Sequence, residues 1–128
     1  MKKVLFICVE NACRSQMAAA FFNDMAKGNG IADSAGTNPA TEVNPDAVRV
    51  MKEIGIDLTK NKPKLLTNGM LKEYDIFVTM GCIKGCSITP KEKTVEWNIE
   101  DPKGKGIEKF REVRDKIKKK IEDLLKNA

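Results

Sequence analysis

Cys8 and Arg14 are separated by five residues in Cys8-Val9-Glu10-Asn11-Ala12-Cys13-Arg14-Ser15, and this pairing is the sharpest chemical signal in the 128-residue sequence. A loop of that length between a buried strand and a helix start brings several backbone N–H groups toward one point beside the positive end of the helix, which makes a cradle for an anion. Asn11 tolerates the left-handed backbone that tight curvature needs, and Arg14 supplies a planar fork suited to two oxygens of one oxyanion. Cys8 is expected beneath the bound ion, with Ala12 and Cys13 completing the loop. A thiolate there is expected to have a lowered pKa and to accept a hydrogen bond from the Ser15 hydroxyl. The plain alternative is that Cys8 is a small buried hydrophobe at a strand end and Arg14 a surface charge. The sequence has no histidine, which removes a Cys-His pair, a Ser-His relay and every imidazole zinc site, so activation of the nucleophile must be electrostatic.

Three further residues could take part. Cys82 and Cys86 stand close together between Gly81 and Pro90, and Asp101-Pro102 follows a short strand-like run. The four cysteines are spaced poorly for a four-thiolate zinc site, and Asp101 has the competing reading of a simple turn former. The N-terminus shows no apolar stretch followed by a small-residue cleavage site, and the longest apolar runs are strand-length, so a cytoplasmic protein with individually employed thiols is expected, without a membrane partner. The formal charge of +5 is concentrated at the C-terminal end, where residues 103–128 carry ten Lys and Arg against five Asp and Glu. Without interleaved aromatics this reads as the solvated face of a helix, not a nucleic-acid surface.

The elements that must position these residues are legible from periodicity. Lys3-Val4-Leu5-Phe6-Ile7-Cys8 is a continuous apolar run rich in strand formers, as expected for a strand buried on both faces. Ser15 to Ala26 carries Met17, Phe21 and Met25 at i, i+4, i+8 and is closed by Gly28, which predicts a helix. A second strand is expected at Ile31 to Ala35. Asn44 and Pro45 then open a helix with a stripe of Val48, Met51 and Ile54. A weaker helix is predicted near Thr67 to Glu73, strands at Asp75 to Thr79 and Thr94 to Trp97, and a final amphipathic helix through Ile107, Phe110, Val113, Ile117, Ile121 and Leu124. Alternating strands and helices in one 1–128 domain imply an α/β fold, an open four-stranded parallel sheet with helices on both faces. Ligands of such sheets bind beyond the carboxyl ends of the strands, which puts Cys8, Cys82, Cys86 and Asp101 on one edge.

Cys-x-x-Asn-x-Cys-Arg-Ser at the N-terminus resembles the low-molecular-weight tyrosine phosphatases and the thioredoxin-coupled arsenate reductases that share their fold, and the similarity runs over essentially the whole chain. It implies a flavodoxin-like sheet, a cysteine nucleophile, an arginine oxyanion clamp and a late aspartate acid. Cys13-Arg14-Ser15-Gln16-Met17-Ala18, Ser34-Ala35-Gly36, Val78-Thr79-Met80, Thr89-Pro90, Trp97 and Asp101-Pro102 are similar to the reductases. The phosphatases usually place tyrosines after Asp-Pro, where Lys103-Gly104-Lys105 stands here. The resemblance implies that Cys8 attacks arsenic, that Arg14 and the amides of Asn11 to Ser15 hold the oxyanion, and that Asp101 protonates the departing oxygen. Cys82 then forms a disulfide with Cys8, and Cys86 with Cys82, for reduction by thioredoxin or a similar dithiol protein. No bound cofactor or metal is implied, and a monomer is expected. Two departures stand out: the Cys82 to Cys86 spacing is shorter than usual, and Ala19 replaces a glutamate that helps hold potassium in related reductases, so no potassium site is expected. A phosphatase working through a phosphocysteine and a thiol-based oxyanion or redox sensor are the alternatives.

Overall fold

The computed structural model describes residues 2–80 and 89–127. Four strands, β1 (Lys2–Cys8), β2 (Gly30–Gly36), β3 (Ile76–Thr79) and β4 (Thr94–Glu96), form one sheet in the order β2-β1-β3-β4. All three pairings are parallel. The register sets Cys8 opposite Gly36 and Ile7 opposite Thr79, so the carboxyl ends of the three longer strands finish level with one another. Successive connections leave β1 and β3 in opposite directions along the sheet, which opens a crevice between their carboxyl ends.

Alternation along β1 divides the core. Val4, Phe6 and Cys8 face a layer built by α1 (Arg14–Ala26), α2 (Pro45–Lys52) and α4 (Ile107–Asn127). Phe6 is the hub of this layer, with ring centroids 6.2 Å from Phe22 and 5.7 Å from Trp97. Leu5 and Ile7 face the other way, with Ala35 and Phe77, onto Leu66, Met70, Leu71 and Tyr74. That second layer contains α3 (Met70–Glu73), a single turn. The expected sheet and its two-sided cover are therefore present, and the cover is uneven among the described residues.

Boundaries agree with the periodicity except where local breakers intervene. The α2 helix begins as expected, with the Asn44 side chain accepting the Asp46 N–H at 2.8 Å and Pro45 in the first turn. Its buried positions are Ala47, Val50 and Met51; Val48 is half-buried, and Ile54 is 41% exposed because the helix stops at Lys52, before Gly55 turns the chain. The helix predicted from Thr67 shrinks to Met70–Glu73, since Asn68-Gly69 supplies poor helix formers at its start. In α4, Phe110, Val113, Ile117 and Ile121 are buried, and Ile107 and Leu124 pack at its ends.

β2 is an edge strand, and its free side is occupied by side-chain and loop groups. Asn23 donates Nδ2–H to the Ala32 carbonyl at 3.0 Å and accepts the Ala32 N–H at 2.8 Å. Farther along, Gly36 donates to the Lys64 carbonyl and accepts from the Leu66 N–H, each at 2.9 Å.

Candidate active site

The loop after β1 is built so that its carbonyls point outward. Val9 O accepts from Asn38 N at 2.8 Å, Glu10 O from Ala40 N at 2.9 Å, Ala12 O from Asn44 N at 3.0 Å, and Asn11 O from Gln16 Nε2 at 3.0 Å. Among the described residues no acceptor engages the backbone N–H groups of Val9 to Cys13, and those of Arg14 and Ser15 open α1, where intrahelical partners do not exist. A loop with every carbonyl tied on one side presents its amides on the other. Asn11 holds the bend in the left-handed region, φ 53°, as its residue type suggests.

Beneath the amides, Cys8 Sγ lies 2.8 Å from Ser15 Oγ, and Asn11 Nδ2 donates to the same hydroxyl at 2.7 Å. With Asn11 donating to Ser15 Oγ, the Ser15 hydroxyl keeps its own proton for a Cys8 thiolate, so Asn11, Ser15 and Cys8 form one hydrogen-bonded chain. Asn11 is fixed in turn by the Lys64 N–H, which its Oδ1 accepts at 2.9 Å, and by Gln16. Both cysteines described here are buried free thiols, and they differ in environment. Burial, with the nearby charges of Asp101 and Cys8, pushes the Cys13 thiol up to about 12, so Cys13 remains protonated across the physiological range.

Arg14 is a buried cation, not a surface charge. Its Nη1 donates to the Met80 carbonyl at 2.8 Å and to the Ile99 carbonyl at 2.9 Å, pinning together the chain beyond β3 and beyond β4. Its Nη2 lies 3.7 Å from Asp101 Oδ2. Nη1 is thus spent on backbone, while Nε and Nη2 make no hydrogen bond among the described residues, and Arg14 lines the cleft. This cleft, about 410 Å³, is lined by Cys8, Cys13, Arg14, Asn38 and Asp101, with Glu10 and Lys103 at its mouth. Asp101 is half exposed, and its Oδ1 accepts the Lys103 N–H at 3.1 Å, the turn that an Asp-Pro pair favours.

The structure therefore brings together Cys8, Asn11, Ala12, Cys13, Arg14, Ser15 and Asp101. Cys82 and Cys86 lie outside the described residues. The sequence reading passed over Gln16 as an anchor of the loop, Asn38, and the Glu10 and Lys103 rim. Of these, only Glu10 carried a usable sign, an acidic residue inside an anion loop. Among the described residues no helix is long and apolar enough to cross a membrane.

An open parallel sheet with a thiol at the floor of an amide cradle, a buried arginine beside it and an aspartate at its rim defines a class of enzymes acting on tetrahedral oxyanions. The model of the low molecular weight phosphotyrosine protein phosphatase family matches residues 3–128, and the chain belongs to that family. Within it, the chain is 40% identical over 124 residues to arsenate reductase 1 of Staphylococcus epidermidis, covering 94% of this chain and 93% of that one. It is 36% identical over 130 residues to the glutaredoxin arsenate reductase of a Synechocystis species, covering 98% and 97%. A solved structure described as an arsenate reductase in the phosphate binding state superposes with a TM-score of 0.89 at 35% identity, covering 99% of this chain and 98% of that one.

Proposed function

We propose that this protein reduces arsenate to arsenite, using Cys8 as the nucleophile and Cys82 and Cys86 as the source of the two electrons. The observation that carries the reading is the hydrogen-bonded chain Asn11–Ser15–Cys8 at the floor of an amide-lined cleft. In this reading a Cys8 thiolate accepts the Ser15 hydroxyl proton beneath the amides that hold the oxyanion. Relatives named arsenate reductase over nearly the full chain select arsenate within the family.

Arsenate binds to the loop amides and to Nε and Nη2 of Arg14; Cys8 attacks arsenic, and an oxygen leaves as water with a proton from Asp101. The Cys82 thiolate attacks Cys8 sulfur, the S–As bond breaks with its electron pair remaining on arsenic, and arsenite departs as a Cys8–Cys82 disulfide forms. Cys86 then attacks Cys82, freeing Cys8, and the Cys82–Cys86 disulfide is reduced by an external dithiol protein, thioredoxin or glutaredoxin. A phosphocysteine path needs only Cys8, Arg14 and Asp101, so hydrolysis of phosphoesters is the competing activity of the same cleft. The protein in this reading works in the cytoplasm as a single-domain monomer without a bound cofactor, metal or nucleic acid.

The test is arsenite release with a thioredoxin or a glutaredoxin system, followed beside hydrolysis of para-nitrophenyl phosphate. Cys8→Ser is expected to abolish both, and Arg14→Lys to cut both by about 100-fold. Cys82→Ser should stop arsenite release and spare ester hydrolysis. Arsenite release that survives Cys82→Ser rejects the thiol cascade, and ester hydrolysis with no arsenite from the unmodified protein replaces the reductase by a phosphatase.

A further inference from the structure

Glu10 is an odd residue to find in an anion-binding loop, because a free carboxylate at the mouth opposes the entry of any oxyanion. It is not free. Lys103 Nζ lies 2.9 and 3.0 Å from its two carboxylate oxygens. The pair joins opposite banks of the cleft: Glu10 belongs to the loop after β1, and Lys103 to the Asp101 turn, to which its own backbone N–H is bonded. No aromatic side chain is among the described residues that line the cleft.

Attack by Cys8 from the floor sends the departing oxygen away from the sulfur, toward Asp101 and the mouth. For free arsenate or phosphate that oxygen carries only a proton. For an ester it carries the substituent, which must pass through the space spanned by Glu10 and Lys103. We propose that the Glu10–Lys103 ion pair is a selectivity clasp that admits unsubstituted tetrahedral oxyanions and penalises their organic esters. It acts in two ways: it neutralises Glu10, and it puts a solvated charge pair where an apolar substituent would have to lie. Electrostatics across the mouth agree with this arrangement. The hydrogen bond and ion pair with Glu10 hold the Lys103 ammonium above its ordinary range, with the Asp101 carboxylate adding to the effect.

The inference rests on the oxyanion chemistry proposed for this cleft and deepens it. Calorimetric binding of inorganic phosphate and of phenylphosphonate tests it in the full chain, Lys103→Met and the double variant Glu10→Gln/Lys103→Met, at low and high ionic strength. Expected in the unmodified protein is a preference for phosphate that shrinks as salt screens the clasp. Lys103→Met should weaken phosphate binding about fivefold by leaving Glu10 unpaired, and the double variant should recover it while losing about fivefold of the preference over phenylphosphonate, with no remaining salt dependence of the ratio. Unchanged thermal midpoints would show that the fold is intact. A double variant that keeps the original ratio at both ionic strengths overturns the clasp. Arsenite release by the same proteins reports separately: a shifted ratio without arsenite keeps the clasp and rejects the reductase, arsenite with an unshifted ratio does the reverse, and a protein that binds neither anion rejects both.

Discussion

Gly36 is where the cradle rests on the sheet. A Cβ there would come within 2.5 Å of the Val9 carbonyl oxygen and 3.0 Å of Asn11 N and Cβ, and these are loop backbone and the residue that donates to Ser15, not flexible chain ends. Gly36→Ala can be accommodated only by lifting the loop. The expected cost is roughly 1–3 kcal/mol of stability by overpacking, read by denaturant titration. Displacement of the amides should lower arsenate turnover further, by up to about 100-fold. An alanine variant with full turnover would mean that the loop is set by α1 alone. Little of this was legible beforehand. Cys8, Asn11, Arg14 and Ser15 declare themselves, because the spacing of a nucleophile, a left-handed residue and a guanidinium is a local property. The supports of the loop come from far along the chain: Gly36, Asn38 and the backbone of Lys64 touch it only after the sheet has formed, and no spacing announces them.

At the scale of elements, the last turn of α2 is tied to α4 by one carboxylate. Glu53 caps α2, and its two oxygens accept from Arg111 Nε and Nη2 and from Arg114 Nη1, the closest at 2.7 and 2.8 Å. Arg114 Nη1 also reaches the Val50 carbonyl at 2.9 Å, so the same arginine satisfies an orphan acceptor at the helix end. Hydrogen bonds from Arg111, then from Arg114, hold the Glu53 carboxyl down at about 2. A carboxylate depressed in the folded state contributes fully above its unfolded value near 4.5, and that contribution disappears as the pH falls through about 2. Glu53→Gln should therefore lower stability at neutral pH and flatten the loss of stability between pH 4.5 and 2. Denaturant titrations at pH 2, 4.5 and 7 measure it, and the difference from the unmodified protein should narrow in high salt. Parallel curves across that range would remove Glu53 from the junction. Periodicity found α4 with its full buried stripe, since that helix repeats the signal over 21 residues. It overran α2 at Ile54, because the apolar step continued where the turn at Gly55 ended the helix.

For the whole molecule, the order β2-β1-β3-β4 brings three separate loops to one site, since the cleft at the carboxyl edge of the sheet receives Cys8 and the loop after β1, Asn38 beyond β2 and the Asp101 turn beyond β4. Strand and helix alternation foretold that edge, because right-handed crossovers leave few alternatives. It did not foretell how unequally the two sides of the sheet are covered, since Leu66, Met70, Leu71 and Tyr74 share no helical repeat strong enough to be seen in advance.

The pairing of Asn23 with Ala32 has a consequence for behaviour in a crowded solution. Its amide offers a strand's donor and acceptor to the outer margin of β2, yet it belongs to a helix and passes nothing on to a neighbour. Any second molecule that approaches this margin finds the polar groups of Ala32 already satisfied, and with Gly36 engaged by Lys64 and Leu66 the ladder ends where it begins. Asn23→Leu should retain the fold and turn the protein toward concentration-dependent self-association, visible by light scattering; a variant that stays monodisperse at high concentration would place the guard against aggregation elsewhere.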